Sequence, residues 1–247
     1  MRILPLLCLL ATEAAFAAEA PLQLDQLIQE ALRHGAGQPS AVTAMKRAYC
    51  GLGNAHRMQD SIERHRELLR NLLRIADANY SDGKGLEQDV LKAQVQISLL
   101  EPRLIEAGAL RRQSEAEINA LAGRSGDSPL GWPPTEASPS TILSLEDLTN
   151  KRLPSDEASR DVIADAWRAA HDDIVLLDVY KRTILPQSRF AAHASLVSYQ
   201  NGSSDFLNAL TSQIVVFDAE KEYDDRERSF CLALVRLEEL TGTSLMH

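Results

Sequence analysis

Aromatic residues make up 5% of the 247-residue chain, and cysteine occurs three times. So few aromatics argue against a compact mixed core. Ala, Leu, Glu, Gln and Arg dominate instead, and these residues favour helix. Beyond the N-terminal segment there is no run of 18 apolar residues, which excludes a membrane-spanning helix there. No series of alternating segments of about ten residues is visible, so the pattern of a membrane barrel is missing too. Positive charge is also short: the formal net charge is −9. Nucleic acid as a partner is argued against, because phosphate binding wants a basic face. There is no Gly-rich phosphate loop, nucleophile elbow or Cys-x-x-Cys. The densest titratable group, His171-Asp172-Asp173, consists of neighbours that face different directions on a helix and cannot chelate compactly. The run Tyr223-Asp-Asp-Arg-Glu-Arg228 reads as a solvated charged face. No catalytic residue, cofactor site or metal site is expected, and the chain reads as a non-enzyme.

Residues 1–17 have the form of a signal peptide. Arg2 is followed by a short apolar run, and Ala15-Phe16-Ala17 fits the small-x-small cleavage rule. The surroundings of Cys8 match a lipoprotein box poorly. The mature chain is therefore expected to be exported, which permits disulfides.

The strongest signal is an internal repeat. The stretch `YSDGKGLEQDVLKAQ` (80–94) and the stretch `YQNGSSDFLNALTSQ` (199–213) align without a gap, each matched residue 119 positions from its copy. Leu121-Ala-Gly123 and Leu240-Thr-Gly242 keep the same offset. Between turn and glycine, Ile97, Leu100, Leu104, Ala107, Ile118 and Leu121 recur in steps of three and four. Val216, Ala219, Tyr223, Phe230, Ala233, Leu237 and Leu240 do the same. Such steps form the seam of a coiled coil, here interrupted by polar rungs at Arg111, Ser114 and Arg226. Residues 41–80 and 158–199 supply a long helix before each turn, and `LQLDQL` (22–27) pairs with `LSLEDL` (143–148) as a short helical start.

The expected fold is all-α. Two long antiparallel helical hairpins form a four-helix bundle, with a first repeat at 18–124, a Pro-rich linker at 125–142 and a second repeat at 143–247. Gly83 and Gly202 should end helices in left-handed caps, with Ser81/Asp82 and Ser203/Ser204/Asp205 capping the next helices. Pro102 and Pro186 should kink the helices that hold them. Cys50 lies near the start of the first long helix and Cys231 near the end of the last, so they share a height at the same end of the hairpins. Whether they pair turns on whether their Cα atoms come within about 7 Å.

Taken in order, these features resemble the outer-membrane efflux proteins, the TolC family. They are Tyr-x-x-Gly followed by Asp-Val-Leu-x-Ala-Gln, helices ending in Leu-x-Gly, the `LQLDQLIQEAL` opening, `ILPQS`, and the closing `ALVRLEELTG`. The form `YQNGSSDFL` is closest to the heavy-metal branch. The resemblance covers nearly all of the mature chain. It implies a homotrimer whose hairpin tips meet a periplasmic adaptor protein, itself joined to an inner-membrane pump. Carried onto this chain, the adaptor contacts are Gly83, Leu86, Asp89, Val90, Gly202, Asp205 and Phe206. For Asp89 and Asp205 a plain helix-terminal role stands as the alternative. The departure from the family is large and symmetric: the interval that holds a further helix and two barrel strands shrinks to 33–41 and 154–158. Two readings are open. One is a barrel-less periplasmic efflux component; the other is a non-transporting scaffold or cap for a full-length efflux partner.

Overall fold

The computed structural model describes residues 22–35, 38–133, 144–145 and 157–246. The expected signal peptide, half of the linker (134–142) and most of the second short helical start fall outside these residues. The helices whose bounds are described follow in chain order: α1 (Leu24–His34), α2 (Pro39–Ser81), α3 (Glu87–Ser98), α4 (Leu100–Ala122), α5 (Glu157–Val179), α6 (Leu185–Gln200) and α7 (Phe206–Thr241). A π-turn at Tyr180–Ile184 joins α5 to α6. The described residues hold no strand, and no helix among them is long and apolar enough to cross a membrane.

The all-α, two-hairpin architecture is as the repeat implies. α2 descends to the first turn and α3/α4 climb back; α5/α6 descend to the second turn and α7 climbs back. The four columns stand in a row, in the order α3/α4, α2, α7, α5/α6. Among the described residues the first column and the last share no packed face. The fold is the pair of packed long hairpins that the repeat implies, with the first and last columns as its two open edges. The seam residues do point inward: Leu100, Ala107 and Ile118 on α4, and Val216, Phe230 and Leu237 on α7, are buried.

Both prolines act as their chemistry requires. Pro102 leaves the Ser98 carbonyl without a helical donor, and the helix breaks at Leu99, between α3 and α4. Pro186 is accommodated differently. The chain widens into the π-turn, and the Leu185 N–H donates to the Tyr180 carbonyl, five residues back. The polar rung at Ser114 has a steric cause. It faces Gly51 of α2 so closely that a Cβ there would lie 2.7 Å from the Ser114 hydroxyl oxygen. Arg111 lies over the Trp132 ring, which stacks on its other side against His56. Part of the linker is therefore a packed strap: Leu130 is buried, and the Trp132 carbonyl accepts from the Leu22 N–H at 2.9 Å.

At the end away from the turns, α1 packs across α2 and α4. Here Cys50 of α2 and Cys231 of α7 are joined in a disulfide with their Cα atoms 5.9 Å apart. Lys46 donates to Glu238 at 2.5 Å, and Glu238 also accepts the backbone N–H groups of Leu245 and Met246. This blunt end is therefore braced covalently, by a buried ion pair and by a clamped C-terminal tail.

Candidate functional site at the hairpin tips

The two turns are built on the same backbone. Gly83 and Gly202 each have φ of 70°, the left-handed region that side chains avoid. In the first, the Gly83 N–H donates to Tyr80 and the Lys84 N–H to Asn79; in the second, Gly202 donates to Tyr199 and Ser203 to Ser198. Both are Schellman stops, which satisfy carbonyls a helix end would leave unpaired. Beyond the glycine the turns diverge. Asp205 is the N-cap of α7 and accepts from the Asn208 N–H at 2.7 Å. Its counterpart at the start of α3 is Leu86, which has no side chain to cap with and is 57% exposed. Ser81 ends α2, and Asp82 pairs with Lys84, so neither caps α3 as expected.

The candidate contact residues fall into two groups. Gly83, Gly202, Leu86 and Asp205 lie at the surface, and Asp89 and Val90 are half-buried in the first turn of α3. Phe206 is different: it is 2% exposed and packs edge-on against Tyr199. It holds the second turn together from inside and is corrected from a surface contact to a core residue. Sequence reading passed over the apolar groove beside the tips, of about 470 Å³, walled by Leu91 and Val95 of α3 and by Leu207, Leu210 and Ile214 of α7.

Higher up the hairpins a polar belt crosses the layer. Asp224 is buried, with Arg57 of α2 3.9 Å away. Glu220 accepts from Ser61 of α2 and Arg189 of α6, and lies 3.5 Å from Arg64. His65 is buried and stacked on Phe217, whose ring also faces Arg103 of α4. Burial pushes the Asp224 carboxyl up from its ordinary 3.8 to about 7. Burial also lowers His65 from 6.5 to about 4. The run 223–228 is thus not the solvated face expected of it. The missed signal is spacing: His65 and Asp224 each lie three and four residues from buried or half-buried neighbours. The remaining cluster, His171-Asp172-Asp173, is pulled apart as expected. His171 stacks on Trp167, while Asp173 accepts from Arg226 at 3.3 Å. Among the described residues no group of three His, Cys, Asp or Glu side chains is placed to hold a metal.

A single row of long helical hairpins, with matched turns at one end, is a layer that its own chain does not close. Solved structures with this fold include outer-membrane channels. The outer-membrane channel OprN matches with a TM-score of 0.71 at 15% identity, over 90% of this chain and 71% of its own. VceC, an outer membrane protein of Vibrio cholerae, matches with 0.67 at 13%, over 90% and 75%. CusC, described in terms of folding and transmembrane channel formation, matches with 0.70 at 11%, over 90% and 74%. No protein-family model matches the sequence, and neither does any curated protein. The described residues thus share the helical fold of these outer-membrane proteins.

Proposed function

We propose that this protein is an exported, non-catalytic component of an efflux-type transport assembly. Copies stand side by side through the edges of their helical layers to form a tube, a trimer as in the resembled family. The hairpin tips meet a periplasmic adaptor that connects to an inner-membrane pump.

The observation that carries this reading is the character of the two open edges. On the α3/α4 edge Leu99 and Ile105 are 55 and 69% exposed, above Leu91 and Val95, which wall the tip groove toward α7. On the α5/α6 edge Val175, Val179, Phe190 and Val197 are 49, 43, 77 and 39% exposed. Each row lies on the face of its helix opposite the buried one. In a ring every copy stands at the same height, so facing rows must match in level. At a rise of 1.5 Å per residue, Phe190 is about 15 Å above its turn and Leu99 about 18 Å. Val179 and Ile105 agree to within about 5 Å. Direction agrees as well. The columns alternate up and down across the row, and a second copy set edge to edge continues the alternation. Exposed apolar rows of this length mark surfaces that meet another protein.

The tips carry adaptor docking on the exposed Leu86, Leu207 and Tyr80 beside the apolar groove. The `YQNGSSDFL` turn favours the heavy-metal branch, with selection of the cargo left to the pump. The test of the reading is the solution mass by light scattering of the mature protein and its Phe190→Glu variant. A trimer that the variant reduces to monomers is expected. A monomeric wild type overturns the tube and favours the scaffold or cap.

A further inference from the structure

The two outer columns are interrupted at one level, and the two inner columns are not. Pro102 lies about 22 Å above the tip and the π-turn spans about 24–30 Å, while α2 and α7 run through that level unbroken. The core changes there too. The tip half is held by a cluster from Ile62, Leu69, Leu72, Phe206, Leu210 and Phe217. The blunt half has its own cluster around Met45, Leu52, Phe230 and Leu234. Between them sits the polar belt, with a cavity of about 150 Å³ lined by residues that include Arg103, Phe217 and Asp224. Packing is imperfect there: Nη1 of Arg103 and Nε of Arg57 are buried without a hydrogen-bond partner. Below the break, α3 is anchored weakly, with Ala93 as its one fully buried residue; α4 has five.

We propose that α3 is a separately moving segment, hinged at Leu99–Pro102, whose swing sets the width of the tip groove between α3 and α7. The hinge is where a helix lacks one hydrogen bond, and sharp helix bends have such causes. The opposite wall does not move with it, because α7 is a single rod braced at the blunt end by the Cys50–Cys231 disulfide. Segments with few buried apolar contacts are those that open at low free-energy cost.

The experiment is pulsed electron-paramagnetic-resonance distance measurement on the full mature chain, with the native disulfide kept. One label pair spans the groove, at Gln88→Cys and Thr211→Cys; a control pair sits at the blunt end, at Arg47→Cys and Arg236→Cys. Labelled chain is diluted with unlabelled chain, so distances within one molecule are read whether or not copies assemble. This separates failure of the hinge from failure of the tube. The groove distribution is expected to be at least twice as wide as the control. Pro102→Ala, which restores the missing donor, should narrow it to the control width. A groove pair as narrow as the control in the wild type overturns the hinge. So does a width that Pro102→Ala leaves unchanged.

Discussion

The two hairpin tips share a backbone and differ in almost everything that hangs on it. In the second, Tyr199 and Phe206 close over the turn from inside and Asp205 caps the next helix. In the first, Tyr80 is 46% exposed and Leu86 stands uncapped and open to solvent. The duplicated part is therefore the stop: a glycine in a left-handed conformation and two hydrogen bonds. The residues after the stop have been free to diverge. The second tip is built to hold its shape, and the first is built to present apolar surface.

That contrast can be broken by substitution. The largest effect is expected from Phe206→Ala, which empties the inside of the second turn and should cost about 3–5 kcal/mol in denaturant unfolding. Leu86→Ala, at the first tip, should change stability by less than about 0.5 kcal/mol. A stability loss at Leu86 as large as that at Phe206 would erase the distinction. The shared stop predicts equal behaviour next: Gly83→Ala and Gly202→Ala should each cost about 1–2 kcal/mol, because both impose a left-handed alanine. Unequal losses would mean that the turns differ in backbone as well. A smaller effect comes from capping. Asp205→Ala should destabilise by about 1 kcal/mol, and Leu86→Asp should recover a comparable gain at the first tip by supplying the missing cap.

The smallest net effect belongs to the belt that both hairpins share. Asp224 binds its proton more tightly folded than unfolded, so its contribution to stability is full below about pH 4 and declines toward pH 7. His65 holds its proton less tightly when folded, so its contribution is full above about pH 6.5 and is lost toward pH 4. The two slopes oppose, and the pair contributes little net pH dependence. Relative to wild type, His65→Phe should make urea midpoints fall from pH 4 to pH 7, and Asp224→Asn should make them rise. Parallel slopes in the two variants would show that neither group titrates where its burial places it.

Much of this molecule is legible in the sequence because a helix records its buried face at fixed spacing. Both glycine stops, both proline interruptions and the inward seams are written that way. The open layer is not. The outer residues Leu91, Val95, Ile105 and Phe190 sit off the seam, and a reader tracing one apolar stripe per helix passes over the second. On the side-by-side assembly proposed above, a helix apolar on two faces has neighbours on two sides. Phe206 misleads for the reverse reason: beside a loop its side chain reads as exposed, and only the partner Tyr199 shows where it points. Asp224 misleads through its company, since a run of charges suggests solvent even when one member lies on the buried phase.

The bridge between Cys50 and Cys231 joins the first hairpin to the second across 181 residues of chain. The Pro-rich linker between the hairpins, residues 125–142, is thus not the only covalent tie between them. A protease that cuts once within it leaves one molecule, whose two pieces separate on a denaturing gel when a reductant is added and run together when it is not. The hairpins stay in register after such a cut, and the chain keeps its shape as a two-piece protein.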